Sequence, residues 1–122
     1  MEAGVSVLIV AGPGSLRTGL QALLSSIVSA DGIQVADSHR AARGLAARHK
    51  PALALLGSRG SDEQVWITLQ AIKAASPQTR CIVLVEDVHQ LQAGAAQRAD
   101  VLLLQGTSPE ELVATIEGLL AR

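Results

Sequence analysis

The chain has 122 residues, a formal charge of −1 at neutral pH from 10 basic and 11 acidic side chains, and 48% hydrophobic but only 1% aromatic residues. One domain of this length buries roughly two-thirds of its unfolded surface, and with Trp66 the single aromatic residue, the core has to be packed from Leu, Val, Ile and Ala. The balanced charge and a pI of about 6.3 argue against nucleic-acid binding by this segment itself.

The first apolar run is too short for a membrane span and lacks the basic flank of a signal peptide, so neither is expected. The single cysteine, Cys81, lies inside an apolar run, which reads as a buried structural thiol and allows no disulfide within the chain. A cytoplasmic α/β domain spanning residues 1–122 is the expectation.

Val5–Val10 is an almost unbroken β-branched run, the pattern of a strand buried on both faces. A turn through Gly12, Pro13 and Gly14 follows, and Ser15 is placed to cap a helix with Leu16, Leu20, Leu23, Leu24, Ile27 and Val28 inward. Asp31-Gly32 turns into Ile33–Ala36, a short strand whose partial alternation suggests a sheet edge. Ser38 can cap a second helix, His39–His49, with Ala42, Leu45 and Ala46 inward. Pro51 stops it and opens a buried strand, Ala52–Leu56, ending at Gly57.

After a loop at Ser58–Ser61, a third helix is predicted over Asp62–Ala75 with Val65, Leu69 and Ile72 inward, Asp62 and Glu63 suiting its N-terminus. Ser76-Pro77 ends it, and Cys81–Val85 is the next apolar strand. Val88–Arg98 is a weaker fourth helix, interrupted by Gly94 at a cost of roughly 1 kcal/mol relative to Ala. Val101–Leu104 is the last strand. Ser108-Pro109-Glu110-Glu111 is a strong helix start, with Ser108 as cap and Glu111 completing a capping box, before the inner face Leu112, Ile116, Leu119 and Leu120.

Five strands alternating with five helices imply a parallel sheet covered on both faces. Two arrangements satisfy this: a flavodoxin-like (βα)5 sandwich with strand order 2-1-3-4-5, or half of a dinucleotide-binding fold. The second has some support in Gly12-Pro13-Gly14-Ser15-Leu16-Arg17 and in Asp37, which lies about where a ribose-binding acid would. Arg17, however, stands where the third glycine belongs. His39, His49 and His89 are isolated, which points to solvated or helix-end histidines rather than metal ligands. Arg40, Arg43, Arg48 and Lys50 read as a wet helix face. Trp66 either caps the core or is exposed as a contact site.

The wording of the chain resembles the receiver domain of bacterial response regulators, above all those of the LuxR-like class. The likeness spans nearly the whole length: VLIV with its loop and Leu-Arg-Thr-Gly-Leu, then Lys-Pro-Ala-Leu-Ala-Leu-Leu, Cys-Ile-Val-Leu-Val, and Ala-Asp-Val-Leu-Leu-Leu-Gln-Gly-Thr-Ser-Pro-Glu-Glu-Leu. Receivers move a phosphoryl group from a partner kinase to their own aspartate, which takes a carboxylate nucleophile, acids holding Mg²⁺, a hydroxyl and a lysine. Carried across, the acidic pair falls on Ala11 and Gly12, the phosphoacceptor on Gly57, the hydroxyl on Val85 and the lysine on Gln105. The switch aromatic falls on Leu102. Asp37, Glu86 and Asp87 rim the strand ends without taking the nucleophile's place, and Ser58, with no base beside it, is a poor substitute.

The resemblance therefore implies a degenerate receiver: not an enzyme, without cofactor or metal, kept as a phosphorylation-independent signalling and protein-interaction module. Its family places dimer contacts on the fourth helix, fifth strand and fifth helix, which here puts Leu91, Arg98, Leu102, Leu104, Val113 and Glu117 on the candidate surface. A DNA-binding domain following in a longer protein is a further implication. The alternative is a sensor that binds a nucleotide or small molecule in the vacated pocket and the Gly12-Pro13-Gly14 loop.

Overall fold

In the computed structural model, residues 5–58, 63–93 and 99–121 are described. The elements alternate as β1 (Val7–Val10), α1 (Ser15–Ser25), β2 (Ile33–Ala36), α2 (His39–His49), β3 (Leu53–Gly57), α3 (Gln64–Ala75), β4 (Arg80–Val85), α4 (Val88–Ala93), β5 (Val101–Leu104) and α5 (Pro109–Leu120), with a 3-10 turn at Ala30–Gly32. All strand pairs are parallel, in the order β2-β1-β3-β4-β5. This is the flavodoxin-like arrangement, and the half dinucleotide-binding fold is set aside.

The strands are apolar on both sides because each side faces a helical layer. Val7, Ile9, Leu53, Leu55, Ile82 and Leu84 pack with Leu20, Leu24, Leu112, Ile116 and Leu119 of α1 and α5. On the opposite face Leu8, Ala54, Leu56, Cys81, Val83 and Val85 meet Ala42 and Ala46 of α2 and Val65, Leu69 and Ile72 of α3. Alternate residues of one strand thus enter different cores, as the two-residue strand period requires. Ala42 and Ala46 let α2 lie close on the sheet, and Leu45 is half-buried beside them. Trp66 is half-buried against this second core, and its neighbour Ile67 is 50% exposed.

Most predicted boundaries agree with the structure to within a residue or two. β1 begins at Val7 rather than Val5, β3 at Leu53 rather than Ala52, and β4 at Arg80, one residue early. Ile33–Ala36, His39–His49 and Val101–Leu104 agree to the residue, and Ile33–Ala36 is an edge strand as its alternation suggested. Ser38 Oγ accepts from Ala41 N–H at 3.1 Å and Ser108 Oγ from Glu111 N–H at 3.2 Å, the two caps anticipated.

Ser15 is a correction. It is the first residue of α1, whose cap is Gly14 without a side-chain bond. Gly14 has φ +154°, in the region L side chains avoid, so the glycine, not the serine, sets the entry to the helix. α1 also ends at Ser25, leaving Ile27 and Val28 beyond it, where Val28 still packs on the first core. Asp62, the expected start of α3, and Gly94–Arg98, the expected second half of α4, lie outside the described residues.

At the lower end of the sheet, Asp100 ties three elements. Its Oδ2 accepts from Lys73 Nζ at 2.8 Å and from Cys81 N–H at 2.7 Å, while Arg80 lies 3.8 Å from Oδ1. Nearby, Thr79 is fully buried. Its hydroxyl donates to Pro51 O at 2.7 Å and bonds Ser76 Oγ at 2.6 Å, which joins the start of β3 to the α3–β4 turn.

Candidate functional site

In doubly wound sheets, ligands sit in the crevice at the carboxyl ends of the strands, where the chain leaves to opposite faces. That crevice lies between β1 and β3, and Ala11, Gly12, Gly57 and Gln105 gather around it. With Leu16 and Glu86 among their neighbours they line a cavity of about 230 Å³. Val85, the fifth position, does not join them. It is fully buried in the core under α2 and α3, because Leu84 takes the alternate side of the strand.

The position that the resemblance assigns to a nucleophile is occupied by hydrocarbon. A Cβ added to Gly57 would stand 2.5 Å from Leu16 Cδ2 and 3.9 Å from Ala11 Cβ. The glycine turn brings Leu16 over the end of β3, and β3 accommodates it by ending in a residue with no side chain. Leu16 is the functional residue that sequence reasoning missed as such, having placed it only on an inner helix face. Its signal was a pairing: a glycine ending the otherwise aliphatic β3, and a leucine in the first turn of α1.

Gln105 stands at the lysine position and uses both amide hydrogens on main-chain oxygens. Its Nε2 donates to Ser58 O at 2.7 Å and to Leu84 O at 3.1 Å, while its own N–H donates to Val85 O at 2.8 Å. Ser58 is buried, its N–H donates to Leu84 O at 3.0 Å, and its hydroxyl donates to Gln90 Oε1 at 3.2 Å. The same Gln90 oxygen accepts from Glu86 N–H at 2.9 Å. Asp87 caps α4, its Oδ1 accepting from Gln90 N–H at 2.8 Å.

These residues do not fit a magnesium ion. A hard divalent cation takes oxygen ligands, chiefly carboxylates, and Ala11, Gly12 and Gly57 offer no side-chain oxygen. Among the described residues no group of three or more His, Cys, Asp or Glu could hold a metal.

A second cavity of about 450 Å³ adjoins the first through Ala11, Gly12, Pro13 and Gly57 and opens toward Asp37, His39 and Thr68. His39, the first residue of α2 and so a helix-end histidine as expected, is half-buried, with Nδ1 3.0 Å from Thr68 Oγ1 of α3. His49 and His89 are exposed, as are Arg40, Arg43, Arg48 and Lys50. Cys81 is fully buried, and burial pushes its thiol up to about 12, with Lys73 lowering and Asp100 raising it to lesser extents.

Of the candidate contact surface, Leu91, Leu102, Leu104 and Val113 are half-buried and Glu117 is exposed. Arg98 lies outside the described residues. Leu102, at the switch-aromatic position, packs with Leu91 and Leu104 against the second core.

No protein-family model and no curated protein matches the sequence. Solved structures do. The chemotaxis protein CheY4 of Vibrio cholerae is 19% identical, with a TM-score of 0.79 over 96% of this chain and 99% of that one. The signal receiver domain of the response regulator NarL from Mycobacterium tuberculosis is 21% identical, TM-score 0.78, covering 98% of both chains. A DNA-binding response regulator of the LuxR family from Staphylococcus aureus is 19% identical, TM-score 0.72, over 95% of this chain and 99% of that one. The chain has the fold of response-regulator receiver domains.

Proposed function

We propose that this domain is a degenerate receiver that works without phosphorylation, as a protein-interaction module of a signalling protein. The observation that carries the reading is Leu16 lying against Gly57, where a phosphoacceptor side chain would have to begin. Phosphoryl transfer to a receiver needs a nucleophilic carboxylate, a metal seat and a cation on the phosphoryl oxygens. Here those places hold a methyl group of Leu16, glycine and alanine, and an amide already committed to the main chain.

The contact surface we assign is α4, β5 and α5, with Leu91, Leu102, Leu104, Val113 and Glu117, and its use is self-association or binding of a protein partner. The LuxR-like wording supports a place as the regulatory half of a transcription regulator, without nucleic-acid contact by this domain itself. No described helix is long and apolar enough to cross a membrane, in keeping with a cytoplasmic site of action.

The test is incubation with acetyl phosphate and magnesium, followed by intact mass, together with beryllofluoride titration monitored by amide resonances. The expected result is no added phosphoryl group and no shift at Gly57, Ser58 or Gln105. Stoichiometric acyl phosphate would overturn the proposal. For the surface, Leu104→Arg should lower the association state measured by light scattering if copies pair through β5.

The 450 Å³ cavity beside Asp37 and His39 supports a second reading, a small-molecule sensor. A ligand present at a hundred times its Kd would add about 2.7 kcal/mol to stability, a shift of several degrees. A flat response across a nucleotide and metabolite screen removes this reading.

A further inference from the structure

The side chains around the filled pocket do more than occupy it. Ser58, from the end of β3, bonds Gln90 of α4, 32 positions along the chain. Gln105, following β5, bonds Ser58 O and Leu84 O, 47 and 21 positions away. Gln90 Oε1 takes a second hydrogen from Glu86 N–H, and Leu84 O a second from Ser58 N–H. The ends of three strands and the first turn of α4 are thus joined by uncharged groups, two amides and one hydroxyl.

We propose that Ser58, Gln90 and Gln105 form a latch that holds α4 in one arrangement against the ends of β3, β4 and β5. The face carried by α4 and β5 is then presented continuously, with no covalent event needed to set it. This deepens the interaction-module reading and rests on it for its biological meaning, while the latch itself is a property of the native chain.

Three features support it. First, the bonds are shared: Gln105 Nε2 donates to two main-chain oxygens, and Gln90 Oε1 accepts two hydrogens. A side-chain amide atom that holds two partners at once permits fewer arrangements than one bonded to water. Second, Ser58 is buried, so detaching its hydroxyl leaves a polar group in a dry place. Third, the start of α4 buries little apolar surface, since Val88 is 56% exposed and Leu91 is only half-buried, while Asp87 Oδ1 adds a polar cap on Gln90 N–H. Polar bonds, more than apolar burial, therefore decide where this turn sits.

The test is amide hydrogen exchange by NMR on the full chain and on Ser58→Ala, Gln90→Ala and Gln105→Ala. Ser58 is outside α4, so a change at Glu86 and Leu91 in Ser58→Ala reports transmission across the latch, not a local effect. Alanine is the better helix former, so Gln90→Ala would slow exchange in α4 if propensity governed it. The expected result is faster exchange at Glu86 and Leu91 in all three variants, by about fivefold for each hydrogen bond lost, with Leu55 and Val83 unchanged. Unchanged exchange at Glu86 and Leu91 in Ser58→Ala overturns the latch. An equal rise at Leu55 and Val83 also overturns it, because the residues would then stabilise the whole fold. Phosphoryl uptake by the native chain would defeat the degenerate-receiver reading and leave this measurement standing.

Discussion

Lys73 and Asp100 meet at 2.8 Å between α3 and the segment before β5, and the same carboxylate oxygen caps the Cys81 N–H of β4. Burial alone would raise the acid's pKa, but the Lys73 hydrogen bond, the Cys81 amide and the charges of Lys73 and Arg80 together hold it below the ordinary 3.8. A carboxyl with a depressed folded pKa stabilises the fold above its unfolded value, and that contribution is lost as pH falls through the folded pKa. Urea midpoints measured from pH 6 down to pH 2 should therefore drop below about pH 4 in the wild type. In Asp100→Asn the curve should start lower and lose less over that interval. A parallel pair of curves would show that Asp100 carries no such linkage.

Filling the space at Gly57 should destabilise. Gly57→Ala brings a Cβ against Leu16 Cδ2, the tip of a half-buried side chain that must turn aside, so the cost stays near the low end of overpacking, about 1 kcal/mol, read as a lowered denaturant midpoint. Leu16→Ala alone loses packing. Residues in contact are coupled, so the double variant should be more stable than the sum of the two losses predicts. Additive losses would mean that the two residues do not share the space.

Restoring one acid should not restore chemistry. Gly57→Asp, alone or with Leu16→Ala, is expected to give no acyl phosphate with acetyl phosphate and magnesium, because Ala11 and Gly12 still offer no metal ligand and Gln105 no cation. Mass spectrometry of the intact protein checks this directly.

Cys81 should be inert in the folded protein. A thiol pushed up to about 12 is almost wholly protonated at neutral pH, and its sulfur is buried. Iodoacetamide at pH 8 should modify it only after unfolding by urea. Rapid labelling of the native chain would contradict this.

Thr79→Val removes a hydroxyl that bonds both Pro51 O and Ser76. It leaves a buried carbonyl unpaired while keeping the side-chain shape, a loss of roughly 1–3 kcal/mol. Thermal or urea unfolding gives the value, and Thr79→Ser should recover most of it.

The fold was legible because its strands and helices speak in different periods. The runs Val7–Val10 and Cys81–Val85 are apolar throughout, which only a doubly covered strand tolerates, and His39–His49 carries its inner residues at helical spacing between a serine cap and a proline stop. The caps at Ser38 and Ser108 were legible for the same local reason. Ser15 misled because a serine before an apolar helix fits the capping rule, and only the φ of Gly14 places the boundary one residue earlier.

That Ala11, Gly12, Gly57 and Gln105 carry neither an acid nor a cation could be read from the residue types alone. What packs around them could not. Leu16 on Gly57, Gln105 on Ser58 and His39 on Thr68 join residues 29 to 47 positions apart. Such meetings are set by how helices are laid on the sheet, and no local pattern encodes them. Val85 illustrates the same limit from the other side, since strand pleating sends it into the core under α2 and α3 while Glu86 beside it reaches the crevice.

Trp66 is the only aromatic ring in the chain, with no tyrosine or phenylalanine beside it, and it rests half-buried on the core beneath α2 and α3. Nature has in effect installed a single fluorophore on one side of the sheet. Its emission reports how wet the indole is, so any event that loosens this layer changes its colour, while rearrangements of α1 and α5 pass unseen. Circular dichroism and fluorescence melts of the unlabelled protein can thus be compared as whole molecule against one layer, and a gap between them would reveal the two helical layers coming apart separately.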